Sequence, residues 1–428
     1  METALYIMSR FPPTVPIVVA SAAFLAACHE DPDPPDTPLP AAQLRDSAGV
    51  LITENPLPPE GSSLGWEIGP EPAVKIGAAE GEAPYLLYGV MKAATLSDGR
   101  IVIADGASDE VRFFDPDGVH LVSWGGEGEG PGEFDALRGV ARWRGDSVAA
   151  WNFYTGRGLS IFDGEGNLNR KLSLGTEPHY ARIAVLRGGA VLRDFWIRPP
   201  PGPGTIYAHS RYDIMDGDGA ITASLGTHTT TEHFRYHYEG MALRGDAVFS
   251  RSVVTAGWGE LAVLSPNHDY EIRAYATDGA LRRIVRLDRP LTPATRSLLM
   301  LDFEDLMRHQ ATWLSEEALR SERERLGGYY DAMPVPETLP AFDTIMADGL
   351  DHLWVREYPL PGRDVRWPRE IPHTRWLVFD PDGRVLGFVE TPRGLVIHEI
   401  GADYVLGSRV GDLEVEYVEV WPLRRGQR

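Results

Sequence analysis

Val111-Arg-Phe-Phe-Asp-Pro-Asp-Gly118 and Trp376-Leu-Val-Phe-Asp-Pro-Asp-Gly383 follow one pattern: apolar residues in alternation, an aspartate, then a turn closed by glycine. Leu159-Ser-Ile-Phe-Asp-Gly-Glu-Gly166, Arg211-Tyr-Asp-Ile-Met-Asp-Gly-Asp-Gly219 and Ile272-Arg-Ala-Tyr-Ala-Thr-Asp-Gly279 repeat it. Period-two alternation followed by Asp, Pro and Gly is a β-hairpin signal, because glycine adopts positive φ at little cost. A second hairpin type precedes each of these segments. Its examples are Leu96-Ser-Asp-Gly-Arg-Ile-Val-Ile-Ala104, Arg144-Gly-Asp-Ser-Val-Ala-Ala-Trp151, Leu186-Arg-Gly-Gly-Ala-Val-Leu192, Leu243-Arg-Gly-Asp-Ala-Val-Phe249 and Ala347-Asp-Gly-Leu-Asp-His-Leu-Trp-Val355. Ile400-Gly-Ala-Asp-Tyr-Val-Leu406 is a sixth. Two hairpins make four strands per unit of about 45–60 residues, the blade period of β-propellers. A barrel or sandwich would not return both turn types in phase. The expected fold is therefore all-β: a six-bladed propeller of four-stranded blades over residues 45–428.

The last blade lacks a strand. After Gly411-Asp412, the run Leu413-Glu-Val-Glu-Tyr-Val-Glu-Val-Trp421 alternates, and few residues remain. An N-terminal strand is expected to close the ring, either Gly49-Val-Leu-Ile-Thr53 or Ala73-Val-Lys-Ile76, which would remove an exposed strand edge. From about 291 to 330 the pattern turns helical. Thr292-Pro293 reads as an N-cap with proline at N1, Leu299, Phe303 and Leu306 recur at helical spacing, and Glu316/Arg320 stand at i,i+4. A two-helix insertion docked on one face of the ring is expected here; a lid over a central pocket is the less favoured form.

Cys28 is the chain's only cysteine and ends an apolar stretch from about Ile17. That stretch is too short to span a bilayer but suits a signal peptide. Leu25-Ala26-Ala27-Cys28 resembles the bacterial lipoprotein lipobox, whose cysteine is lipidated. The resemblance implies a signal peptide at 1–27, acylation of Cys28, and an extracytoplasmic location at the outer membrane or cell surface. Residues 28–44, rich in Pro and Asp, then read as an acidic tether, extended at about 3.1 Å per residue. The net charge of −21 makes a nucleic-acid partner unexpected, since phosphates would be repelled over most of the surface.

Trp124-Gly-Gly-Glu-Gly-Glu-Gly-Pro-Gly-Glu-Phe134 resembles the glycine-rich linker of NHL-type propellers. The wider frame, Arg45-Asp-Ser-Ala-Gly-Val50, Leu96-Ser-Asp-Gly99 and Phe114-Asp115, resembles a group of bacterial six-bladed propellers, many of them lipoproteins. That group has no general assigned activity, so the resemblance implies fold and not chemistry.

Candidate chemistry is sparse. The glycine run at 125–132 lacks the Gly-Lys-Ser/Thr ending of a phosphate loop, and Glu127, Glu129 and Glu133 would repel phosphate. The Asp-x-Asp-Gly turns lack the closing glutamate of a calcium loop, and the hairpin repeat explains them. His228, His233 and His237, with Glu232 and Glu239, are the candidate zinc ligands, although an aromatic polar loop between blades is the preferred reading. Six-bladed lactonases and esterases of the paraoxonase type hold a divalent metal on the axis with Glu, Asn and Asp. Here Asn152 stands near an inner strand, but no full ligand set is legible. The expected function is a membrane-anchored, monomeric, non-enzymatic binding platform for a protein or glycan partner. The alternative is a lactone or ester hydrolase using axial calcium or zinc.

Overall fold

The computed structural model describes residues 41–59, 61–153, 158–174, 183–197, 204–239, 241–361 and 374–426. Cys28, the signal peptide and most of the tether lie outside them. Strand Gln43–Ser47 begins inside the stretch read as tether, so regular structure starts earlier than expected.

Six sheets, each built on antiparallel blade strands, follow one another along the chain. Blade 1 comprises Val90–Thr95, Ile101–Asp105, Glu110–Phe114 and His120–Gly125. Blade 2 comprises Leu137–Arg142, Val148–Asn152, Leu159–Phe162 and Leu168–Leu172. Blade 3 has Ile183–Val185, Val191–Ile197, the long pair Gly204–Met215 and Ile221–Tyr238, and a fifth strand, Met241–Asp246. Blade 4 has Val253–Trp258, Leu261–Pro266, Glu271–Tyr275 and Leu281–Asp288. Blade 5 has Phe342–Ala347, Leu353–Glu357, Thr374–Phe379 and Val385–Thr391. Blade 6 has Val396–Ile400, Tyr404–Val410 and Glu416–Arg424.

The ring is held by an apolar core at every blade junction. Val102 and Phe113 meet Phe162 between blades 1 and 2. Ile161 and Leu172 meet Val191 at the next junction, and Leu192 and Tyr212 meet Leu264 at the third. Val263 meets Phe342 and Phe379, and Trp354 and Trp376 meet Val405. Leu406 packs on Ile103 and Phe114, so blade 6 returns to blade 1 and the circle closes. All these side chains are buried, and burial of apolar area at about 25 cal/mol per Å² drives this assembly.

The strand that completes blade 6 is Val74–Ile76, paired antiparallel with the last strand through Val418↔Ile76 and Val420↔Val74. The other N-terminal candidate has a different place. Val50–Pro56 runs parallel to the outer strand of blade 4 (Leu51↔Arg283, Pro56↔Asp288), and Gln43–Ser47 folds back on it. Blade 4 is thus six-stranded. Between these two attachments, Ser63 bridges Phe388 of blade 5. One N-terminal strap therefore crosses the outer edges of blades 4, 5 and 6 before blade 1 begins.

Leu243–Phe249, expected to be the first hairpin of blade 4, is instead mostly the fifth strand of blade 3, paired with the end of its neighbour (His233↔Asp246). The true hairpin is the two-residue turn Gly259-Glu260 between Trp258 and Leu261, so the count of six blades stands. The insertion is two helices, α1 (Arg296–Gln310) and α2 (Glu316–Ala332). Thr295, not Thr292, caps α1: its side chain accepts the Leu298 N–H at 3.2 Å. The described ion pairs of α2 are Arg323–Glu304 and Arg325–Glu322 in place of Glu316–Arg320.

Candidate functional site

The repeat aspartates turn out to be turn builders. In each of four hairpins one carboxylate oxygen accepts the amides two and four residues ahead: Asp115 from Asp117 and Val119, and Asp163 from Glu165 and Asn167. Asp216 accepts from Asp218 and Ala220, and Asp380 from Asp382 and Arg384. An Asx turn of this kind mimics a backbone turn and lets the chain reverse tightly. These carboxylates hold their own loops.

Antiparallel order puts these tight turns, with the first hairpin of each blade, at one end of the ring. The connections between second and third strands, and between blades, lie at the other end. On this long-loop face stand the prolongation of the blade 3 pair, the helical insertion (which leaves blade 4 after Asp288), and the crossing from blade 1 to blade 2. In that crossing Phe134 donates its N–H to Gly126 O and Gly128 donates to Phe134 O, which makes the glycine run a folded link. The exposed aromatic side chains among the described residues are Tyr88, Tyr207 and Trp313. By topology Tyr88 and Tyr207 belong to this face, and Trp313 belongs to the insertion that leaves from it.

The blade 3 extension carries the sequence's histidine cluster on one strand. A bulge at Ala208/His209 skips Thr230, which is buried, and turns the flanking side chains. His228 Nε2 donates to Leu225 O at 2.9 Å, and its ring meets Tyr212 edge-on. His233 Nδ1 lies 2.8 Å from Asp246 Oδ1, whereas His237 is exposed. At about 3.3 Å per residue the three rings are strung along the strand, not gathered. Among the described residues no three His, Cys, Asp or Glu side chains converge to hold a metal. Asn152, the axial candidate, accepts the Asp135 N–H at 3.2 Å. Among the described residues, then, the donors do not form the ligand set that an axial calcium or zinc requires.

His228 and Glu232 instead line a pocket of about 470 Å³ between the blade 3 extension and blade 4. Its other walls are Tyr207, Thr227, Thr229, Arg251, Ser252, Pro266 and His268. Burial pushes the Glu232 carboxyl up, while the Arg251 charge and the Arg251 backbone N–H oppose that shift. The wall is fixed from behind by Asn267, which is buried. It accepts the Ser252 N–H at 2.7 Å through Oδ1 and donates to Phe342 O of blade 5 at 2.9 Å. The insertion packs on the other part of the extension: Tyr329 and Tyr330 join Phe234 and Phe303, and Tyr329 Oη donates to Phe234 O. No residue of α1 or α2 lines the pocket, so the helices buttress the extension and are not its lid.

Arg251, His268 and Tyr207 were not legible as site residues, because they come from three segments that only the fold brings together. A smaller ionisable group sits on the inner strands of blades 6 and 1. His398 is buried with Nε2 2.9 Å from Ser408 Oγ; burial first, then the nearby Lys92 charge, lower its pKa to about 3. Lys92 is likewise lowered by burial, against the pull of Glu399.

No protein-family profile matches the sequence, and no curated protein does. Solved structures with a similar course include a Bacteroides fragilis protein provisionally named as exported (12% identity, 88% of this chain, 100% of that one, TM-score 0.48). A Bacteroides vulgatus member of the DUF4221 family has 10% identity over 84% of this chain and 99% of that one, with TM-score 0.46. A Xanthomonas campestris gluconolactonase has 16% identity over 84% and 98%, with TM-score 0.37.

Proposed function

We propose that this is an exported, lipid-anchored propeller that works as a monomeric binding platform through its long-loop face. The observation that carries the reading is the inequality of the two ends. One end is closed by self-satisfied Asx turns, while the other bears the pocket, the extension and the exposed aromatic side chains. Rigid blades beneath adaptable loops are a common basis for recognition. The chain also enters the ring at that end: Gln43 lies opposite Glu54, next to the Pro56↔Asp288 pair from which the insertion departs. With Cys28 acylated, the residues after it would serve as the tether. Its twelve or so residues before Ala41 would reach about 35 Å if extended.

The test is Cys28→Ala, followed by fractionation and lipid labelling. The parent is expected in the membrane fraction carrying label, and the variant free outside the cytoplasm without it. A variant that stays membrane-bound and labelled would remove the anchor from this reading. The nature of the partner, protein or glycan, is narrowed next.

A further inference from the structure

We infer that the pocket between the blade 3 extension and blade 4 binds an acidic saccharide, a sugar bearing a carboxylate, either free or at the end of a larger glycan. This rests on the assignment of the long-loop face as the binding face and adds the chemistry of its ligand.

The size is right for a small polar ligand: about 470 Å³ falls within the range of about 300–1,000 Å³ typical of ligand pockets. Charge is the first discriminator. In a chain of net charge −21, the pocket sets the Arg251 guanidinium beside a single lining carboxylate, that of Glu232. Glu232 takes the backbone N–H of Arg251 and acts on its side chain only through charge, so the exposed guanidinium fork remains open to an incoming carboxylate. Planar, two-pronged recognition of a carboxylate is what that group does best.

The remaining walls suit hydroxyl groups. His228 Nε2 is engaged with the Leu225 carbonyl, which leaves Nδ1 as the ring's remaining polar atom. Glu232 supplies an acceptor, and the Thr227, Thr229 and Ser252 hydroxyls can give or take a hydrogen bond. Tyr207, 52% exposed at the rim, offers a flat apolar face to the C–H side of a pyranose. A neutral sugar would leave the Arg251 fork without a two-pronged hydrogen-bond partner. A small inorganic anion would leave the hydroxyls and the Tyr207 ring unused.

Titration calorimetry on the full chain in mild detergent tests this with D-glucuronate, D-glucose, acetate and an oligouronide. Glucuronate is expected to saturate and to bind at least about tenfold more tightly than glucose or acetate. Arg251→Gln should bring glucuronate down to the level of glucose. Tyr207→Ala, an exposed change that leaves the fold untouched, should weaken both sugars. Tighter binding of the oligouronide would assign a glycan-borne ligand, and equal binding a free acid sugar; both support the site. Acetate matching glucuronate, an Arg251→Gln protein with unchanged affinity, or no saturation by either acidic sugar would overturn it. If the acidic sugars fail while the long-loop face is still shielded in the native envelope, only the ligand class falls. If the shielding is missing as well, the face assignment falls with it.

Discussion

Asn55 and Val385 are 330 positions apart, yet the Val385 amide donates to the Asn55 side-chain oxygen at 2.8 Å. The same side chain gives its two N–H bonds to Gly383 O at 2.8 Å and Arg286 O at 3.1 Å. It is 2% exposed, so all three partners depend on it. Asn55 thus pins the N-terminal strap to blade 4 and to the last hairpin of blade 5 at once. Asn55→Leu should lower unfolding free energy by about 3 kcal/mol, since buried polar groups left unpaired are penalised. Chemical denaturation measures this; a loss under about 1 kcal/mol would show that the strap is ornamental.

Closure of blade 6 has its own probe. Gly77 follows the closing strand with φ of 133°, and an added Cβ would stand 2.4 Å from the Glu416 carbonyl oxygen. Gly77→Ala should therefore force Val74–Ile76 off the last strand. Gly49, at φ of 84° with open space around it, serves as the control for backbone strain alone. The expected penalty is about 1 kcal/mol at Gly49 and clearly more at Gly77, read from melting curves. Equal penalties would argue against closure through this strand.

His398 predicts an acid limb. Its ring stays neutral in the fold until about pH 3, against an ordinary value of 6.5 when unfolded. Between those values the unfolded chain holds more protons, so stability rises with pH and is lost on acidification. From pH 7 to pH 5 the loss from this one group is on the order of 2 kcal/mol. His398→Gln should flatten that part of the profile relative to the parent. Parallel profiles for the two proteins would exclude His398 as its source.

The turn aspartates make a further prediction. Asp380→Ala removes the acceptor for two amides and should reduce stability by about 1–2 kcal/mol. Asp380→Asn keeps an acceptor oxygen and should stay within about 0.5 kcal/mol of the parent. Millimolar calcium should leave the melting midpoint of all three unchanged. A calcium-dependent rise lost in Asp380→Ala would restore a cation role to this turn.

The blades were legible because the Asx turn is local chemistry: Asp380 and Gly383 lie close enough in sequence for the pattern to show. Leu243-Arg-Gly-Asp misled for the same reason, since it carries a turn's local signature while pairing with the preceding strand at His233–Tyr238 makes most of it a strand. The turn that does open blade 4, Gly259-Glu260, has no aspartate and was silent. The α1 cap was misplaced by three residues because Thr292 and Thr295 both precede helical residues, and only the packed chain selects between them. The pocket was half visible. His228 and Glu232 stood out in one polar stretch, but Arg251, His268 and Tyr207 reach them through tertiary folding.

The most direct test of which face works is hydroxyl-radical footprinting of the protein in intact cell envelopes against the purified protein. Tyr88 and Tyr207 on the long-loop face should be oxidised less in the envelope, with Ile221 and Leu350 on the short-turn face unchanged. Protection of Ile221 and Leu350 with Tyr207 fully reactive would contradict the assignment and place the partner on the opposite end of the ring.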